Sequence, residues 1–340
     1  MSITVNGQAK RIGLALSGGG FRAAGFHLGV MQKLKELNLL DKIDLISCVS
    51  GGSIAGSYVS LNWQAANVLD DLEKYLRTKS IAVGSVIGGL LNPFESRLDK
   101  LADTYDRDLL HKKTLKDFPA SGPRIYLNST NLATGNMFFF VSGGNLPSEI
   151  GEHELGVVES PDFLISKAVA ASSAFPPVFP PLQLKKSEYA SNQTSIDYVT
   201  LTDGGVYDNL GVNPALRERN KLDYLIVSDG GKPFANDSQP TESGTIVLKA
   251  ALDIMMEQVR GLEFDRIEHR HKAGVGPKPL WFSIDSEVGE SEKGDANFAS
   301  LISTNLKALK DAEINVLKRH GSSLVLNRIQ NYAPELLSLV

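Results

Sequence analysis

The stretch at residues 45–58, LISCVSGGSIAGSY, constrains the fold more than any other part of the chain. It begins with apolar residues typical of a buried strand, is interrupted at Gly51 and Gly52, and continues after Ser53 with helix-compatible residues. The pattern predicts a strand that turns sharply into a helix, with Ser53 on the turn. Small neighbours let strand and helix close around one projecting side chain. The stretch alone fits a nucleophile elbow or a glycine-rich connection without chemistry.

A second glycine-rich turn precedes this one. Residues 12–16 predict a short strand, SGGGFR follows at residues 17–22, and apolar residues at helical spacing then predict a helix. Backbone N–H groups at a helix start have no partner within the helix, so Gly18, Gly19 and Gly20 form a potential anion site. The run lacks both the spaced G-x-G-x-x-G and the G-K-[ST] ending of nucleotide-phosphate loops. These two units predict an α/β fold whose sheet begins with parallel strands, with both turns at the carboxyl edge.

Further elements are predicted along the chain. Residues 124–129, 137–141, 223–227 and 280–284 have the composition of strands. Ser160 and Pro161 predict the start of a helix that continues through residues 168–171. A long helix should place Leu252, Met255, Val259 and Leu262 in the core, and a last helix should span about residues 301–319 and end at Gly321.

Composition excludes several classes of protein. The chain has 340 residues, 42% of them hydrophobic and 22% charged, which is typical of a globular protein. Its net charge of −4 makes nucleic acid an unexpected partner. The single cysteine, Cys48, allows no disulfide within the chain and is expected to be a buried core residue.

No signal peptide is predicted at the N-terminus, and we expect a cytoplasmic protein. Residues 45–69 carry no charge, but their serines, glycines and amides argue against a membrane span. Residues 80–94, SIAVGSVIGGLLNPF, are also uncharged; they fit a buried connection or, alternatively, a lid or lipid-facing patch.

A serine nucleophile needs a base, and the sequence leaves its identity open. Asp203 and Asp229 both precede Gly-Gly, and His269 or His271 would complete a Ser-Asp-His order. The two histidines lie two apart in a charged helical stretch, so their side chains diverge and should face solvent. No H-E-x-x-H is present and we predict no metal site. A third acid in the same region, Asp208, is expected to bind its own loop backbone.

Three motifs in order, SGGGFR, SGGSIAG and DGGVYDNLGVNP, resemble the patatin-like phospholipases, and AVAASSAFPPVFPP and NLATG resemble further blocks of that family. The resemblance covers about residues 12–216. It implies a three-layer α/β/α fold with a mostly parallel central sheet and the elbow after the second strand. We expect a single domain over residues 1–340, in which residues 217–340 complete the sheet and outer helices.

The resemblance also implies a reaction. It assigns Ser53 as the nucleophile of a Ser-Asp dyad, Asp203 as its base, and the oxyanion loop at residues 18–20. Gly51 and Gly52 form the elbow, and Arg22 either steadies the loop or attracts a phosphate head group. Ala55 departs from G-x-S-x-G, where glycine is usual.

The implied activity is hydrolysis of carboxylic esters of phospholipids or related lipids without cofactor or metal. We expect it to occur during transient contact with a membrane or micelle, with the protein peripheral at the membrane. Two alternatives stay open: a Ser-Asp-His carboxylesterase, and a patatin-like storage or lipid-binding protein whose site is vestigial. The sequence leaves the head group, the acyl position and the oligomeric state undetermined.

Overall fold

The structure, a computed structural model, describes residues 3–5, 7–81, 97–189, 195–234 and 243–337. Two strands form a small antiparallel hairpin, β1 (Ile3–Val5) and β2 (Gln8–Lys10). Ten further strands form one sheet: β3 (Ile12–Leu16), β4 (Ile43–Val49), β5 (Arg124–Asn131), β6 (Met137–Ser142), β7 (Glu149–Glu152), β8 (Gly156–Glu159), β9 (Leu182–Lys185), β10 (Tyr198–Asp203), β11 (Tyr224–Asp229) and β12 (Lys278–Ser283).

The sheet is mixed, with a parallel centre. Its order is β12-β11-β3-β4-β5-β6-β7-β8, and β10 pairs with both β5 and β9. The strands from β12 to β5 are parallel, and the remaining pairings are antiparallel. Strands buried on both faces need continuous apolar runs, and all five residues of β3 are buried. The predicted α/β fold with a central sheet is therefore confirmed, and strands after residue 217 join the same sheet.

Helices cover both faces of the sheet: α1 (Gly20–Glu36), α2 (Gly51–Leu61), α3 (Val68–Thr78), α4 (Arg97–Tyr105), α5 (Ile165–Ser172), α6 (Lys186–Tyr189), α7 (Gly205–Asp208), α8 (Gly244–Lys272), α9 (Asp295–Leu301) and α10 (Asp311–Tyr332). Alternate residues of β3 and of β6 enter different apolar clusters. Leu14 packs with residues of α1, α3 and α10, whereas Ala15 and Val227 pack with Ile267 of α8 on the other face.

Two predicted helix boundaries are wrong. Helix α5 begins at Ile165 and not at Ser160, because backbone groups of residues 161–165 pair with residues 113–116 instead. One such pair joins the N–H of Leu115 to the carbonyl of Phe163 at 2.9 Å. The last helix, α10, starts ten residues later than predicted and runs through Gly321.

Gly321 serves packing and not helix termination. A Cβ atom at this position would lie 2.4 Å from the carbonyl oxygen of Phe26 in α1. At Gly29 of α1, a Cβ would lie 2.1 Å from the carbonyl oxygen of Lys318. The two glycines let α1 and α10 approach closely, so the helix has a packing reason to continue.

The predicted core face of the long helix is only partly correct. Ile267, near the C-terminal end of α8, is buried, but Met255 and Leu262 are 65% and 67% exposed. Phe264 contacts Trp281 of β12 at a ring-centroid distance of 4.7 Å, which places the sheet contact in the last third of the helix. Cys48 is buried as expected, and burial raises the pKa of its thiol.

The predicted uncharged segment at residues 80–94 lies outside the described residues from position 82 onward. Among the helices that the structure describes, none combines the length and the apolar character needed to cross a bilayer.

Candidate active site

A single residue, Ser50, makes the turn between β4 and α2. The strand ends at Val49 and the helix begins at Gly51, so the prediction that Ser53 lies on the turn is wrong. Ser50 has φ 50° and ψ −114°, a region that residues other than glycine rarely occupy. Strained backbone of this kind is concentrated at functional sites. Ser50 is also partly exposed, whereas Ser53 is fully buried in the first turn of α2.

The glycines after Ser50 serve close approach instead of the turn. A Cβ at Gly51 would lie 2.1 Å from the carbonyl oxygen of Gly20, and one at Gly52 would lie 2.2 Å from that of Leu16. Measured from Ser50, the sequence C-V-S-G-G matches G-x-S-x-G, with Cys48 in place of the first glycine. When the motif is aligned on Ser50, its last glycine is Gly52, so Ala55 is no longer part of the motif.

Asp203 lies directly beside Ser50. It ends β10, and its Oδ1 accepts the N–H of Gly205 at 2.8 Å. The hydroxyl of Ser50 lies near this carboxylate and helps to stabilise its charge. Burial raises the pKa of Asp203 to about 7, and the N–H of Gly205 and the nearby hydroxyl of Ser50 offset part of that rise. A carboxylate with a pKa near neutrality is suited to act as a general base.

The glycine loop supplies N–H groups next to the turn. The N–H of Gly18 donates to the carbonyl of Asn209 at 3.1 Å. The N–H groups of Gly19, Gly20 and Gly51 have no acceptor within hydrogen-bonding distance in the part of the chain that the structure describes. Gly19 and Gly20 have φ values of 137° and 62°, which favour glycine. Three unpaired donors around a serine are the arrangement that stabilises an oxyanion.

Arg22 supports this loop from the inside. It is fully buried; its Nη1 donates to the carbonyl of Ile302 at 3.0 Å, and its Nε and Nη2 donate to that of Gly230 at 3.3 and 3.1 Å. Burial lowers the pKa of Arg22 to about 10, and the nearby Asp229 partly offsets this. Of the two roles considered for Arg22, its burial favours support of the loop over contact with a lipid head group.

The other acids of the region have partners of their own. Asp229 forms an ion pair with Nε of Arg260 at 2.6 Å and accepts the N–H of Gly231 at 3.0 Å. Asp208 accepts the N–H of Gly211 at 2.9 Å and that of Asn213 at 2.8 Å. The prediction that Asp208 binds its own loop is confirmed.

The histidines considered for a triad lie near the end of α8. His269 is exposed and bonds through Nδ1 to the carbonyl of Asp265 at 2.7 Å. His27, which is buried, bridges the carbonyl of Ser17 and the hydroxyl of Ser228 at 2.9 and 2.8 Å. Burial lowers the pKa of His27 to about 4. Within the described ranges, no three His, Cys, Asp or Glu side chains cluster closely enough to bind a metal ion.

Sequence reasoning missed two residues of this site. Ser50 was overlooked because the following Gly-Gly pair suggested that the turn lay nearer Ser53. Ser172, at the end of α5, contacts the turn: its Oγ accepts the N–H of Ser50 at 3.0 Å and lies 2.8 Å from Oγ of Ser53. The AVAASSAFPP block contains Ser172, but its spacing gives no indication of this contact.

The chain is similar in fold to solved structures and in sequence to one protein family. Human GIVD cytosolic phospholipase A2 has a similar structure, with TM-score 0.63 and 13% identity over 97% of this chain and 60% of that chain. Its complex with methyl gamma-linolenyl fluorophosphonate has TM-score 0.60 and 13% identity, over 97% of this chain and 58% of that chain. VipD from Legionella pneumophila has TM-score 0.45 and 14% identity, over 97% of this chain and 70% of that chain.

The chain thus spans about 60% of the length of the human protein chain. No curated protein matches the sequence. The patatin-like phospholipase family matches residues 14–216, more than half of the chain. The chain therefore belongs to the patatin-like phospholipase family.

Proposed function

We propose that this protein is a lipid acyl hydrolase in which Ser50, and not Ser53, is the nucleophile and Asp203 is the base. The observation that carries the proposal is the position of Ser50 at the apex of a strained strand-to-helix turn, with its hydroxyl next to the buried carboxylate of Asp203. Membership of a phospholipase family gives the substrate class, a lipid ester.

The reaction follows from the contacts. Ser50 Oγ attacks the acyl carbonyl while its proton passes to Asp203, so no free alkoxide forms. The N–H groups of Gly19, Gly20 and Gly51 stabilise the negative charge on the carbonyl oxygen. Asp203 then returns the proton to the departing alcohol, which leaves an acyl-serine. Water attacks this ester, gives its proton to Asp203 and releases the fatty acid, and Ser50 recovers its proton. Each step uses groups of this chain, and none requires a metal or cofactor.

The test compares serine variants on one phospholipid substrate with product identification. Ser50→Ala and Asp203→Asn should each lower kcat at least about 1,000-fold, because each removes a member of the reacting pair. Ser53→Ala, the matched control three residues away, should keep kcat within about threefold, since Ser53 lies inside the helix. Full activity of Ser50→Ala would refute the assignment, and loss of activity only in Ser53→Ala would restore the earlier one.

The same assay separates the alternatives. Changing His269 and His271 together to alanine should leave kcat almost unchanged if no histidine participates, whereas a triad enzyme would lose activity. A storage or lipid-binding protein would hydrolyse no ester and would resist a fluorophosphonate, the reagent class bound by the similar human enzyme.

The second part of the proposal is contact with a lipid surface. We propose that the protein acts in the cytoplasm and binds membranes peripherally. Leu248, Met255 and Leu262 of α8 are 69%, 65% and 67% exposed and follow one another at seven-residue steps. They therefore share one face of the helix, over about 21 Å at 1.5 Å per residue. An exposed apolar stripe indicates an interaction surface. The Asp229–Arg260 pair connects α8 to the carboxyl edge of the sheet, where Ser50 lies.

A triple variant tests this contact. Changing Leu248, Met255 and Leu262 to glutamate should lower hydrolysis of phosphatidylcholine vesicles at least about tenfold, because charge disfavours burial in the bilayer interface. Hydrolysis of a soluble short-chain ester should not change. Val288, which is 69% exposed outside the helices, supplies the control Val288→Glu. Equal vesicle rates for both variants would refute this surface.

A further inference from the structure

Ser172 uses all of its hydrogen-bonding capacity next to the turn. Its Oγ donates to the carbonyl of Asn128 in β5 at 2.6 Å, because a carbonyl only accepts. The same oxygen accepts the N–H of Ser50 at 3.0 Å. Its second lone pair is left for the hydroxyl of Ser53, 2.8 Å away. Ser172 has no proton left to pass toward Asp203, so it is not a proton relay.

The contact with Ser50 fixes the turn at its most strained point. Non-glycine residues with positive φ persist only where the surroundings determine their conformation. The N–H of Ser50 is the backbone group that a change in this φ would move, and Ser172 is the partner that holds it. Since Asn128 belongs to the central strand β5, the hydroxyl connects the turn to a rigid part of the sheet.

The same end of α5 also holds the base. The carbonyl of Ser172 accepts the N–H of Gly204 at 3.3 Å, and the carbonyl of Ala174 accepts the N–H of Asp203 at 3.1 Å. Residues 172–174 therefore contact the backbone of both Ser50 and Asp203. One short segment therefore sets the separation of Ser50, which follows β4, and Asp203, which ends β10.

We infer that Ser172 is a positioning residue that aligns the hydroxyl of Ser50 with the carboxylate of Asp203. This inference rests on the proposed function. Ser172 acts through its hydroxyl on the backbone of Ser50 and takes no part in bond making. Misplacement of a reacting group by about 1 Å is enough to lower a rate about 100-fold.

Ser173 is a matched control one residue away. It is a buried serine at the same helix end, but its Oγ donates to the carbonyl of Val169 at 2.7 Å, within its own helix. Ser172→Ala and Ser173→Ala remove the same atom from neighbouring positions. Both lose a buried hydrogen bond, and only the first loses contact with Ser50.

The experiment measures kcat, KM and the pH dependence of kcat/KM with a soluble short-chain ester. Ser172→Ala should lower kcat by about 10- to 100-fold with KM within about threefold, because positioning affects the transition state more than binding. The acid limb of its pH profile should move to higher pH, since a displaced Ser50 hydroxyl stabilises the Asp203 carboxylate less. Ser173→Ala should match the wild type in all three quantities.

A second pair keeps the test decisive if the alanine variant does not fold. Ser172→Thr and Ser172→Val have the same shape and differ only in the hydroxyl, so threonine should retain more activity than valine by about tenfold. Equal activity of these two variants, or an unmoved pH profile and kcat in Ser172→Ala, would overturn the inference. Failure of the proposed function is seen separately, as activity that survives Ser50→Ala.

Discussion

Replacing Asp203 with asparagine should stabilise the protein at neutral pH while abolishing catalysis. Burial raises the pKa of this acid from 3.8 to about 7, and Asp203 is only 2% exposed. An unfolded chain loses the proton near pH 4, whereas the folded chain keeps it until about pH 7. The unfolded state binds fewer protons over this interval, so the free energy of unfolding falls as pH rises from about 4 to 7.

The size of the effect follows from the same pKa change. A rise from 3.8 to about 7 is worth about 4 kcal/mol, at about 1.36 kcal/mol per pH unit. Asparagine is a neutral analogue of the protonated acid, accepts the N–H of Gly205 through Oδ1, and loses no stability through this interval. The stability difference between Asp203→Asn and wild type should therefore grow by about 4 kcal/mol between pH 4 and pH 8.

Urea denaturation followed by circular dichroism measures this difference at several pH values. The other titrating groups are shared by both proteins, so their contributions cancel in the difference. A stability difference that does not change with pH would refute the reasoning, since Asp203 would then titrate alike in folded and unfolded chains. A difference that decreases with pH would mean that the folded state favours the carboxylate.

Three further predictions follow from the site. For a soluble ester, kcat/KM should rise about tenfold per pH unit below about pH 7 and level off above it, because Asp203 must be deprotonated to accept a proton. A pH profile that is flat between pH 5 and 8 would contradict this prediction. Gly51→Ala should lower activity at least about 100-fold, because its Cβ would lie 2.1 Å from the carbonyl oxygen of Gly20 and displace the oxyanion donors. Gly261→Ala, whose Cβ would meet open space, is the control in the same rate assay. Arg22→Met should destabilise the fold by about 2 to 5 kcal/mol, since the carbonyl groups of Gly230 and Ile302 lose a charged donor. A melting temperature equal to that of the wild type would show that the fold does not need the buried guanidinium.

The parallel centre of the sheet was predictable because its strands carry continuous apolar runs, whereas β7 to β10 were not predicted. Residues 12–16 are β3 itself, and the predicted strand at residues 124–129 lies within β5. Helix ends were less predictable because their causes are not local. Gly321 lies inside α10 because the carbonyl group of Phe26, on a helix distant in sequence, leaves no room for a side chain there. Residues 161–165 do not begin a helix because they pair with a segment about fifty residues earlier.

The candidate site shows the same division. The resemblance to a known family indicated the glycine loop and Asp203, whereas Asp-Gly-Gly alone did not distinguish Asp203 from Asp229. The position of the turn was not predictable because SGGS contains two serines around one glycine pair, and local sequence does not show which serine the turn uses. Contacts with other elements decide it: Gly51 and Gly52 lie against the backbone of Gly20 and Leu16, which moves the turn to Ser50.

The most direct test of the account identifies the serine that becomes acylated. A fluorophosphonate is incubated with wild type, Ser50→Ala and Ser53→Ala, and the adduct is located by fragmentation of the labelled peptide. We predict that the phosphonyl group lies on Ser50 in the wild type, that Ser53→Ala is labelled at the wild-type rate, and that Ser50→Ala is not labelled. An adduct on Ser53, or undiminished labelling of Ser50→Ala, would contradict the account.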